Sequence, residues 1–311
     1  MFLALALVLC SGSTLCQLND TATADELSAS ELQALLVNST ANLQSYSFLM
    51  DMDQRTELVN LSDPSGEVQM IVSRSFGIGA INMTQRALKL VMATVVVPEG
   101  DVGNATAMAM DEYLINDTIY LRIGENWTSL KLPFTENVWS QQNTLDQQVE
   151  MLNSSNITLL GSESIDGVDC YKIKADIDTA SLAAELSQTS SPLPLQLMNY
   201  SQLFNDAVLE AYYWITKDTL LLKRSDIFES FVIRPQELGL EPKGPESVEM
   251  RVYANISMTY DGFNESINIE LPAEARTAEA LPLNMTVVNV TQEEETVLPA
   301  SPAENTTQAV L

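Results

Sequence analysis

Two-residue turns set between alternating segments constrain this chain most. Asn116-Asp117, Gly124-Glu125 and Asp166-Gly167 each stand between stretches in which apolar and polar residues take turns. A period of two puts one set of side chains on each face of a strand, and such dipeptides close tight antiparallel hairpins. Tyr46, Phe48, Met50 and Met52 alternate with Ser47, Leu49, Asp51 and Asp53, and Val68, Met70 and Val72 with Glu67, Gln69 and Ile71. The same reading predicts strands at about 86–97, 107–115, 118–123, 127–132, 157–165, 168–177, 209–216, 219–233 and 248–260. Ile267, Ile269 and Leu271 are expected to close the domain before Pro272.

Helices interrupt the strands. Ser28-Ala29-Ser30-Glu31 reads as a capping box opening a helix to about residue 44, with Leu32, Leu35, Leu36 and Leu43 at helical spacing. A second helix is expected over about 136–152, with Val138, Trp139, Leu145, Val149 and Leu152 on one stripe. Further helical stretches are expected near 182–186 and 195–206. Hairpin-linked strands with a few interposed helices and no βαβ alternation argue for an α+β fold built on one large antiparallel sheet.

Asn-X-Ser/Thr recurs at Asn19, Asn38, Asn60, Asn82, Asn104, Asn116, Asn126, Asn153, Asn156, Asn199, Asn255, Asn264, Asn284, Asn289 and Asn305. One such tripeptide means little, since Asn and Thr both favour turns. Here about three-quarters of all Asn residues carry it, where Ser/Thr frequency predicts roughly a sixth. Glycan acceptors on an exported protein account for that excess. The pattern is self-consistent at Asn255, which alternation puts on the polar face of its strand, and at Asn116 and Asn60, which stand in or beside turns.

The N-terminus agrees with export. Residues 2–9 are all apolar, small residues follow, and the first charge is Asp20, so residues 1–20 read as an export signal. Cys16 is a candidate lipid-attachment cysteine, although Leu15 stands where a lipobox has a small residue. No segment is long and apolar enough to span a bilayer. From residue 276 to 311 the chain is acidic and rich in Pro, Thr and Asn, which reads as a disordered, glycosylated tail.

Composition narrows function. The chain has 42 acidic and 15 basic residues, a net −27, which repels phosphate backbones and excludes nucleic acid as a partner. It has no His, so a Ser-His-Asp triad, a Cys-His dyad and a His-ligated zinc site are all excluded. The three cysteines, Cys10, Cys16 and Cys170, make no disulfide framework, and Cys170 reads as a structural thiol. Asp51 with Asp53, or Asp176 with Asp178, lack the Asp-X-Asp-X-Asp-Gly loop of a calcium site and read as exposed strand carboxylates. Gly77-Ile78-Gly79 is too short for a phosphate loop. No metal and no cofactor is expected.

The pattern resembles a family, the LolA/LppX-like lipoproteins, and within it uncharacterised archaeal and bacterial secreted members. The residues that carry the resemblance are Leu159-Leu160-Gly161-Ser162-Glu163, Gly167-Val168-Asp169-Cys170-Tyr171-Lys172-Ile173-Lys174, Trp214-Ile215-Thr216-Lys217-Asp218-Thr219, and Tyr260-Asp261 with Ile269-Glu270-Leu271-Pro272. They are strand ends and hairpins, and the similarity covers a domain over about 25–275. The resemblance implies a strongly curved antiparallel sheet, a half-barrel, with helices on its concave face and an apolar cavity for acyl chains between them.

Within that frame Leu88, Leu90 and Met92 on one strand, Met108 and Met110 on the next, and Trp139 at the cavity mouth are candidate ligand-facing residues. Met and Leu suit an adaptable apolar wall. The same residues serve equally as ordinary packing between sheet and helices. The expected function is that of a secreted or surface-attached, non-enzymatic protein holding a lipid or other apolar molecule outside the cytoplasmic membrane, with cell-envelope proteins as further partners. The alternative is a structural or adhesive envelope glycoprotein whose trough is filled by side chains. A hydrolase using paired carboxylates is the distant third reading.

Overall fold

The fold is that of a computed structural model, which describes residues 27–61, 68–98, 102–132, 139, 143–180, 204, 207–234 and 248–281. The expected export signal with Cys10 and Cys16, the helical stretches at 182–186 and 195–206, and the chain beyond 281 lie outside the described residues.

Ser28 caps the first helix, α1 (Ala29–Thr40). Its hydroxyl accepts the Glu31 N–H while the Glu31 carboxylate accepts the Ser28 N–H at 2.9 Å, the reciprocal cap expected from the sequence. Six strands follow: β1 (Ser45–Asn60), β2 (Gln69–Asn82), β3 (Ala87–Pro98), β4 (Thr106–Ile115), β5 (Thr118–Ile123) and β6 (Asn126–Lys131). After helix α2 (Thr144–Asn153) come β7 (Asn156–Ile165), β8 (Val168–Asp176), β9 (Val208–Thr216), β10 (Leu222–Ile233), β11 (Val248–Asp261) and the short β12 (Glu279–Ala280). The three turns read from the sequence are hairpin turns, with Asn116, Gly124, Asp166 and Gly167 at positive φ.

These twelve strands form one sheet in the order β12-β6-β5-β4-β3-β2-β1-β11-β10-β9-β8-β7. It consists of two meanders, β1 to β6 and β7 to β11, joined where β1 pairs with β11 over fourteen residues. Only β12 is parallel to its neighbour.

The topology places the second helix. β6 lies at one side of the sheet and β7 at the other, so the chain between them must cross a face. α2 lies on that crossing. Its Leu145, Val149, Met151 and Leu152 share one core with Leu32 and Leu36 of α1 and with Tyr46, Ile81, Leu88, Leu114, Ile173, Tyr213 and Tyr260 of the sheet. This is the covered face; the opposite one is the open face. Of the helix expected over 136–152, Trp139 is helical and α2 begins at Thr144, where Asn143 caps it and the buried Tyr46 hydroxyl accepts the Leu145 N–H at 3.0 Å; residues 136–138 and 140–142 lie outside the described residues.

Two other features have local causes. β2 runs straight through Gly77 and Gly79, although glycine weakens a strand interior. The Phe48 ring occupies the space above Gly79, where a Cβ would stand 2.0 Å from Phe48 Cζ. The segment bearing Ile267, Ile269 and Leu271 keeps its alternation but pairs with no strand. It packs those side chains on Ala80, Ala87, Tyr113 and Trp127 at one end of the open face, then leads to β12 beside β6, four residues past the expected domain limit at 275.

Candidate functional site

Strand register lays the covered face out in rows. Nearest the helices, Tyr46, Ile81, Leu88, Leu114, Ile119 and Leu130 lie side by side across β1 to β6. Four residues along β1, the row reads Met258, Met50, Gly77, Met92, Met110 and Ile123. Met52 and Met108 belong to the next row, and Met250 lies opposite Leu58 farther on. Seven of the chain's 13 methionines thus point to one face. Thioether side chains are unbranched and adaptable, and such a floor moulds to irregular apolar surfaces.

Burial changes along this floor. Leu88 is 3% exposed and belongs to the helix-covered core, as does the buried Met258; Met52 is also buried, at 3% exposed. Leu90, Met92, Met110 and Met50 are half-buried, and Met108 is 42% exposed. Trp139 is half-buried and packs against the same core. The expected candidates therefore share one face but divide in role: Leu88 is packing, while Leu90, Met92, Met108 and Met110 continue the floor outward. Val91 and Val95 belong to the open face and are exposed.

Sequence reasoning missed Met50, Met52, Met250 and Met258, and it missed two acids. Glu229 is 8% exposed on the covered face. Ile227 and Phe231 flank it on β10, and Leu209 and Ala254 lie directly across on β9 and β11. It makes no hydrogen bond or ion pair among the described residues. Burial pushes its carboxyl up to about 7. Glu112, between Leu90 and Leu121, is raised by the same cause. The alternation Ile227, Glu229, Phe231 is the signal that could have exposed the first of them.

Under α2 the face is aromatic and polar. Tyr46, Tyr213 and Tyr260 are fully buried. The Tyr46 hydroxyl donates to Asn143 Oδ1 at 2.6 Å, whereas Tyr213 Oη and Ser225 Oγ, paired across β9 and β10, have no partner. Desolvation drives the Tyr213 phenol far above its usual range. Cys170 is a buried free thiol whose pKa burial raises, in keeping with a structural role.

The open face carries the paired charges. A shallow depression of about 460 Å³ is lined by Asp51, Asp53, Arg224, Asp226 and Ser257. Its carboxylates already have partners: Arg224 holds Asp226 through two bonds of 2.8 Å, and Arg74 approaches Asp51 at 3.4 Å and Asp53 at 3.5 Å. No group of three metal-ligating side chains occurs among the described residues.

Ten candidate glycan acceptors are described. Asn38, Asn104, Asn116, Asn126, Asn153, Asn156, Asn255 and Asn264 are exposed, and Asn60 and Asn82 are half-buried. Asn19, Asn199, Asn284, Asn289 and Asn305 lie outside the described residues. Asn60, Asn82, Asn126 and Asn156 stand at strand ends, and Asn255 stands on the open face of β11, opposite Asp53.

No family model and no curated protein matches the chain. Several solved structures do. The lipoprotein LppX of Mycobacterium tuberculosis is 16% identical, with 78% of this chain and 100% of that one covered and a TM-score of 0.35. LprF of Mycobacterium bovis is 17% identical over 78% and 96%, with a TM-score of 0.43. The likeness is to LolA/LppX-like lipoproteins. A putative outer membrane lipoprotein-sorting protein domain of Vibrio parahaemolyticus also matches, at 10% identity over 78% and 95% and a TM-score of 0.25. The fold described above rests on the strand pairing alone.

Proposed function

We propose that this chain is an exported, non-enzymatic glycoprotein that shelters an apolar, lipid-like ligand against the covered face of its sheet. In this reading the sheet bends so that the covered face is the concave one. Residues 1–20 direct export, and the tail beyond 281 keeps the molecule soluble and glycosylated at the cell surface. Cys16 is the place for a lipid anchor, and envelope proteins are the ligand's donors or acceptors.

The observation that supports the reading is the methionine row. An apolar floor begins in the helix-covered core and runs out, still apolar, to half-buried Met92 and Met110 and exposed Met108. A purely structural core ends where its cover ends. A ligand laid on this floor removes apolar area from water at roughly 25 cal/mol per Å². Among the described residues no second carboxylate faces Glu229 or Glu112 across the neighbouring strands.

Native mass spectrometry and lipid extraction of exported protein test the reading. A co-purifying apolar molecule is expected, and Met92→Asp with Met110→Asp should strip it while Asp substitutions at exposed Val91 and Val95 leave it bound. Protein that carries nothing, and takes up nothing from added lipid, would sink the carrier reading and leave an envelope glycoprotein with a filled core.

A further inference from the structure

Four charged residues are buried among the described residues: Asp111, Lys223, Glu229 and Glu249. Three have ion partners. Asp111 pairs with Arg122 at 2.6 Å, Lys223 with Asp261 at 3.1 Å, and Glu249 with Arg234 at 3.2 Å and Arg251 at 2.9 Å. Glu229 has none, and its carboxyl stands among Ile227, Phe231, Leu209 and Ala254. The nearest polar side chain in its row is Gln54, two strands away opposite Ala254, and it directs an amide N–H to Thr56 Oγ1 at 3.0 Å. Desolvation penalises the charged form of a carboxylate that has no protein donor among the described residues, a penalty that an apolar residue at this position would avoid.

From this contrast we infer that Glu229 is the head-group subsite of the covered face and that the ligand is an amphiphile with a protonated amine head. The inference rests on the carrier reading and specifies its ligand. A cationic head brings both the charge and the N–H donors that the carboxylate lacks, and a desolvated surround strengthens the pair. A neutral hydroxyl offers one donor and no charge. An anionic head is rejected twice, by Glu229 and by the net charge of −27. The rest of the floor suits the chain of such a molecule. Ile227 and Ile256 lead from Glu229 toward Met52, Met50 and Met258, so the alkyl part lies over thioethers while the head stays at β10. Specificity here comes from a group made costly to leave unpaired.

Calorimetric titration of the full exported chain at pH 8 with dodecylammonium, dodecanol and dodecanoate, each below its micelle concentration, tests this. Dodecylammonium should bind at least about tenfold more tightly than dodecanol, and dodecanoate more weakly than both. Glu229→Gln should keep dodecanol binding, which also reports that the fold is intact, and should erase the amine's advantage. Equal affinities in the native chain, or an amine preference that survives in E229Q, would overturn the head-group assignment while leaving the carrier reading in place. If none of the three binds, the carrier reading itself fails and this inference falls with it.

Discussion

Asn82 shows why a tripeptide motif and a modification site are different things. Its Nδ2 donates to the Ile267 carbonyl at 2.7 Å, and its Oδ1 accepts the Gln85 N–H at 2.8 Å. A glycan is attached through that nitrogen, so the folded chain offers no acceptor there. Glycopeptide mass spectrometry of exported material should find sugar at Asn38, Asn104, Asn116 and Asn255 and none at Asn82; a fully occupied Asn82 would contradict the contact with Ile267. All fifteen tripeptides were visible in the sequence. The carbonyl that removes Asn82 from the set lies 185 residues away and was not. Glu229 gives the same lesson from the other side. Its neighbours in sequence point it at the covered face, but only strand pairing reveals that no base stands across from it.

Among the elements, α2 depends most on a single side-chain contact. Tyr46 Oη takes the Leu145 N–H and gives its own proton to Asn143 Oδ1, so one phenol both caps the helix and orients its cap residue. Tyr46→Phe leaves a buried N–H and a buried amide oxygen short of a partner. A loss of about 1–3 kcal/mol is expected in urea denaturation, against a near-neutral effect for Tyr253→Phe on the open face. Local chemistry made most strands legible: the three tight turns fixed β4 to β6 and the β7–β8 pair within a residue or so. It failed where a backbone conformation or a side chain on another strand decides. β10 starts at Leu222 instead of 219 because Leu220 adopts φ 56 and the Thr216 hydroxyl accepts the Leu221 N–H at 3.1 Å, closing a turn. β2 runs on through Gly77 and Gly79 because the Phe48 ring of β1 fills the space above Gly79.

For the molecule as a whole, buried acids set the response to pH. Glu229 is raised to about 7 by desolvation, and Glu112 is raised by the same cause. A carboxyl whose folded pKa exceeds its unfolded one binds more protons when folded, so stability falls as pH rises between the two values. The window runs from about 4.5 to 7, and Glu229 alone contributes up to about 3 kcal/mol across it. Glu31, Asp117 and Glu163 act oppositely: hydrogen bonds hold them low, and their contribution disappears at more acid pH. The ligand-free chain should therefore melt higher at pH 5 than at pH 8, and Glu229→Gln should raise the pH 8 melting temperature by several degrees; a flat profile between pH 5 and 8 would refute this account. The seam between the meanders has a consequence of a different kind. β1 finds one neighbour early, in β2, but its other flank waits for β11, which ends at Asp261. A chain delivered from its N-terminus at ribosomal speed leaves fourteen residues of backbone donors and acceptors open for roughly 10–40 s. The half-delivered polypeptide, more than the finished one, is the species that needs a chaperone to keep it from joining its own kind.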